Sequence, residues 1–148
     1  MKVSVSSAML ADGLLLLLSL IGLLISLYFT LVYYERIPAN YYLVPRICRM
    51  KESTCQTVLS TGDARVFGLP NSALGILYYG IVFFITVAGG WESGGFVQRF
   101  FLWVSILVVL LSFYLSYSLL YRIKIVCPLC FVSHGMNVLI ALLLFIKT

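Results

Sequence analysis

At 148 residues, 62% hydrophobic and only 10% charged, with a mean hydropathy of +1.08, the chain lies far from the half-apolar, quarter-charged make-up of soluble domains, and a water-soluble fold is all but excluded. The length holds one domain, 1–148, whose core is set by packed membrane spans. The net charge of +5 comes from 10 Lys and Arg against 5 Asp and Glu, placed in loops and forming no basic run on a helix face, so nucleic acid is not an expected partner.

Residues 13–34 form a run of 22 without a charge; at about 1.5 Å per residue it crosses a hydrocarbon core of ~30 Å with some tilt. It reads as the first span and not as a cleaved signal peptide, since Lys2 is the whole basic n-region and no small-residue cleavage site follows. A long loop, 35–69, carries Cys48 and Cys55. The second span, 72–90, is entered through Pro70 and Asn71 and ends at Gly89-Gly90. A short glycine-containing turn leads to the third span, 100–121, bracketed by Arg99 and Arg122, and the fourth is 128–146, ending at Lys147. Tyr28, Tyr33, Tyr34, Trp91, Trp103 and Tyr121 lie near span ends, where amphipathic rings favour the interface. The fold class is thus all-α and integral to a cell membrane, a four-transmembrane-helix bundle surrounded by lipid. Two spans separate the long loop from the segment before Cys127, so both cysteine pairs emerge on one membrane face and both termini on the other.

Cys127-Pro128-Leu129-Cys130 is a C-x-x-C at the start of a helix. Free backbone N–H groups and the positive dipole end favour a thiolate there, and Arg122 and Lys124 are placed to add to that field. A zinc half-site and two unrelated buried cysteines are the alternatives; redox chemistry is favoured because His134 is the sole histidine, and no metal is expected. Cys48 and Cys55, with six residues between them, suit either a disulfide staple or, given a second pair on the same face, a thiol relay. The acceptor reached from Cys130 must be lipophilic, and a membrane quinone of the ubiquinone or menaquinone type fits. His134, one turn beyond Cys130, and Asn71 sit at one level of the bundle, where polar groups are costly unless used. An interhelical hydrogen bond for His134 and a helix cap for Asn71 are the other readings; Asn137 reads as packing glue.

The ordered set of a loop cysteine pair, Val58-Leu59-Ser60-Thr61, then Val66-Phe67-Gly68-Leu69-Pro70-Asn71-Ser72-Ala73-Leu74-Gly75, then the CPLC heading the last span resembles the vitamin K epoxide reductase family, including its prokaryotic members, over most of the chain. The resemblance implies a four-helix bundle around a quinone pocket, with Cys127 and Cys130 as the active-site pair and Cys48 and Cys55 as shuttles to a thioredoxin-like partner. It also implies a supporting hydroxyl at Ser60 or Thr61 and a quinone contact at Asn71. Animal members that act on vitamin K have tyrosine where this chain has His134, which puts epoxide reduction in doubt. Many prokaryotic members carry a fused thioredoxin-like domain; its absence here leads to the expectation of a partner in trans.

The expected activity is therefore that of a quinone-dependent, disulfide-generating thiol oxidoreductase. A cysteine-based metal-binding or transport protein is the alternative, disfavoured by the lack of Asp and Glu in the first three spans, and a scaffold whose cysteines only staple loops is a third. Orientation sets charge against resemblance. The family usually turns its cysteines outward, whereas the cysteine face carries Arg36, Arg46, Arg49, Lys51, Arg65, Arg122 and Lys124 against Lys2, Arg99 and Lys147 opposite, which favours cytoplasmic cysteines. The few amides, Asn40, Gln56, Asn71, Gln98 and Asn137, fit a hot habitat with intracellular disulfides, although membrane composition yields the same shortage.

Overall fold

The computed structural model describes residues 5–37, 58, 61–91 and 95–148. Cys48, Cys55 and Ser60 therefore lie outside the described residues. Helix α1 spans Val5–Tyr33, α2 Asn71–Val87, α3 Phe96–Tyr117 and α4 Pro128–Lys147. Between α1 and α2 lie a 3-10 turn, Gly62–Ala64, and a two-strand antiparallel hairpin in which β1 (Arg65–Val66) pairs with β2 (Leu69–Pro70). Its two turn residues, Phe67 and Gly68, both have positive φ, 53° and 81°, the geometry of a tight two-residue hairpin turn.

Three of these segments, Ala8–Tyr33, Phe96–Ile123 and Pro128–Lys147, are long and apolar enough to cross a membrane; Asn71–Val87 is apolar but has 17 residues, about 26 Å of helix at 1.5 Å per residue. The helix boundaries differ from the expected ones for identifiable reasons. α1 begins at Val5 and takes in Asp12, whose carboxylate pairs with Lys147 in the last turn of α4. That pair places the start of α1 beside the end of α4, as antiparallel neighbours require. α3 starts at Phe96, directly after Gly95 at its N-cap, so Arg99 falls inside its first turn. At its far end the helix widens into a π-helical stretch, Ser118–Ile123, which Lys124 stops in the left-handed region at φ 56°.

The sides of the helices are sorted as lipid demands. Leu24, Leu107, Phe113 and Phe145 face outward, while Ser19, Ser105, Ser112, Ser118, Gln98 and Asn137 are buried between helices, where each hydroxyl or amide finds a partner. α1 packs most extensively along α2, and two glycines permit it. A Cβ on Gly22 would stand 2.5 Å from the Tyr79 ring, and one on Gly75 2.5 Å from Ser26 Oγ. Apolar packing is divided between the two ends: Phe29, Val32, Cys127 and Leu129 cluster at one, and Leu15, Tyr78, Tyr79, Val82, Trp91, Ile140 and Leu144 toward the other.

Candidate active site

Cys127 ends an extended segment and caps α4, with φ −112° and ψ 98°, and Pro128 follows at the first helical position, where a missing N–H costs nothing. The Cys127 sulfur accepts the backbone N–H of Cys130 at 3.1 Å. Cys127 and Cys130 are joined as a disulfide, with Cα atoms 5.3 Å apart. When that bond is reduced, the free N–H groups of the helix start remain aimed at the Cys127 sulfur and favour its thiolate. Cys127 is fully buried against Phe29, Val32 and Leu129, whereas Cys130 is partly open.

Cys130 opens onto a cavity of about 220 Å³ between the helices. Its walls are mostly apolar, from Phe29, Val58, Leu74, Val108, Leu111 and Leu115, with polar groups from Thr61, Asp63, Asn71, His134 and Asn137 among them. The structure thus brings Cys130, Asn71, His134 and Thr61 to one cavity. Pro70, not Asn71, occupies the N-cap of α2, and no side-chain cap bond is made there; the capping role considered for Asn71 is not found. Among the described residues the buried His134 Nδ1 has no hydrogen-bond partner, so no interhelical bond with them is made at that atom. Thr61 donates its hydroxyl to the Val58 carbonyl at 2.8 Å.

Arg122 does not act as a free cation beside the cysteines. Its guanidinium lies 3.0 Å from the Asp63 carboxylate, which also accepts from Ser118 Oγ at 2.5 Å and from the Tyr114 hydroxyl at 3.2 Å. The Ser118 hydrogen bond first, then the Arg122 charge and the Tyr114 hydroxyl, hold the Asp63 carboxyl below its ordinary value, against some desolvation. Arg122 is thus engaged with Asp63, which offsets part of the charge expected to add to the field at the helix start.

Sequence reading passed over Tyr78, Tyr79 and Asp63, which line the cavity. The Tyr79 hydroxyl donates to Asn137 Oδ1 at 2.5 Å, Asn137 Nδ2 donates to Ser112 Oγ at 2.8 Å, and the Tyr78 hydroxyl pairs with Ser105 Oγ at 2.8 Å. These bonds tie α2, α3 and α4 together beneath the cavity. Two adjacent tyrosines inside an apolar helix were the available signal, because buried phenols need partners. Asp63 had a weaker one, a lone carboxylate just upstream of Asn71.

An apolar helical bundle that seats a helix-start disulfide against an internal cavity belongs to the class of membrane redox proteins. The sequence matches the model of the vitamin K epoxide reductase family over residues 13–145, most of the chain, and the protein belongs to that family. Comparison with curated proteins gave no match. With that membership and three long apolar helices, the chain is an integral membrane oxidoreductase acting on disulfides.

Proposed function

We propose that this protein forms disulfides in a thioredoxin-like partner supplied in trans and passes the electrons to a membrane quinone, of ubiquinone or menaquinone type, bound in the cavity beside Cys130. The observation that carries the reading is the shared cavity: Cys130, Asn71 and His134, whose Nδ1 has no partner among the described residues, line one apolar space. When bound there, the quinone supplies a two-electron, two-proton sink, so that two thiols and one quinone become one disulfide and one quinol. All four helices cross the bilayer as one domain, 1–148, α2 being the shortest span. Cys48 and Cys55 take electrons from the partner, Cys55 exchanges with Cys127, and Cys130 faces the acceptor. Asn71 and His134 hold the quinone carbonyls by hydrogen bonds that strengthen as the ring gains charge. Thr61 or Ser60 is the hydroxyl residue that supports the active site.

On the charge distribution, the cysteine end faces the cytoplasm. Among the described residues Arg36, Arg65, Arg122 and Lys124 lie at that end, and Arg99 and Lys147 at the other.

The test is turnover by purified protein in lipid discs with quinone and a reduced thioredoxin-like dithiol. Quinone loss should match disulfide formation one for one, and Cys130→Ser should abolish it. Dithiol oxidation that proceeds without quinone loss under anaerobic conditions would refute the reading.

A further inference from the structure

The Asp63 carboxylate is held from one face of α3 and its π-helical extension. Tyr114, Ser118 and Arg122 follow at four-residue spacing, which stacks them on a single side, and all three donate to Asp63. Arg122 also donates to the Tyr114 hydroxyl at 3.3 Å, which cross-links two of the donors. Ser118 is buried, while Arg122 is exposed.

Asp63 stands in the turn Gly62–Ala64, and the hairpin β1–β2 follows at once. Because Arg65 pairs with Pro70, the hairpin acts as a strut that brings Ala64 next to Asn71. Thr61, Asp63, Ala64 and Asn71 all line the cavity. On its other flank the start of α2 is tied to α1, where Thr30 Oγ1 donates to Ser72 Oγ at 3.0 Å. The segment 61–71 is thus a roof held at α3 by Asp63 and, through the adjoining Ser72, at α1.

We propose that Asp63 is a positioning residue for the quinone reaction: by clasping segment 61–71 onto α3 it fixes Asn71 and Thr61 over the cavity and sets the affinity for the quinone. This rests on the cavity being the quinone site. Asp63 acts through Asn71 and needs no contact with the ring. The part-buried Ser118 bond carries more of the clasp than the exposed Arg122 pair, since solvent screens the latter more.

Steady-state kinetics of Asp63→Asn in lipid discs provide the test. The quinone KM should rise on the order of tenfold, with kcat at saturating quinone falling far less and the dithiol KM unmoved. Ser118→Ala should raise the quinone KM more than Arg122→Gln, and Asp63→Glu should recover part of the loss. A fall in kcat with the quinone KM unchanged would assign Asp63 a general structural role and overturn the proposal. A second measurement needs no quinone chemistry. In a chain with its four native cysteines replaced by serine and one cysteine introduced by Ser133→Cys on the cavity wall, maleimide labelling should quicken when Asp63→Asn is added. Equal labelling rates would overturn the clasp. A wild-type protein that reduces no quinone would instead sink the proposed function, leaving the labelling rates to decide the clasp.

Discussion

Replacing His134 by Phe separates a ligand-binding role from a structural one, because the geometry makes opposite demands on the two. The Nδ1 of His134 has no partner among the described residues, so removing it breaks no hydrogen bond with them at that atom, and Phe fills similar space; stability should change little. A hydrogen bond from this ring to an oxygen that gains charge is worth roughly 1.5–3 kcal/mol. At about 1.4 kcal/mol per decade, kcat/KM for quinone should fall roughly 10- to 100-fold. Asn137→Leu makes the matched control. It deletes the bonds to Tyr79 and Ser112, each about 0.6 kcal/mol on average in a membrane and up to about 1.7, so it should cost roughly 1–3 kcal/mol of stability. The assays are quinone reduction followed by ultraviolet absorbance and reversible unfolding in mixed micelles. Unaltered quinone kinetics in His134→Phe would remove that residue from the pocket, and a stability loss matching that of Asn137→Leu would make its role structural.

Other outcomes follow from the same geometry. Cys48→Ala should abolish oxidation of a protein partner while a small dithiol is still turned over, slowly because Cys127 is fully buried; Cys130→Ser should trap a Cys55–Cys127 mixed disulfide, visible by mass spectrometry. Gly22→Ala should force the Tyr79 ring aside and cost about 1–3 kcal/mol in the same unfolding assay, the usual range for overpacking. Asp63 has a depressed carboxyl, so its contribution to stability should be complete above the ordinary value of 3.8 and fade as pH falls through its lower folded value. Asp63→Asn should flatten that acid limb of the stability profile. For orientation, a single cysteine introduced by Ala88→Cys, at the exposed end of α2 away from Cys127, should react with an impermeant thiol reagent in intact cells. Protection until lysis would turn the cysteine end outward.

The sequence by itself determined the apolar helices, three of them long enough to cross a membrane, because uncharged runs of this kind have one stable form in lipid, where every backbone group must be satisfied within its own segment. It also determined the start of α4 at Cys127-Pro128, since a proline fixes a helix start locally. The gathering of Cys130, Asn71, His134 and Thr61 was legible only as parity and level, which place residues at one end of a bundle without saying which of them share a space. The tertiary structure decided that. It showed that Asn71 faces the cavity while Pro70 caps the helix, and that the His134 Nδ1 has no partner among the described residues whereas Asn137 is bonded at both Oδ1 and Nδ2. It also bound Arg122 to Asp63, a pairing no spacing rule could find, because the two are 59 residues apart. The physical reason is the same throughout. Span length, polarity and capping are properties of neighbouring residues, whereas a partner for a buried polar atom is chosen by which helix faces pack together.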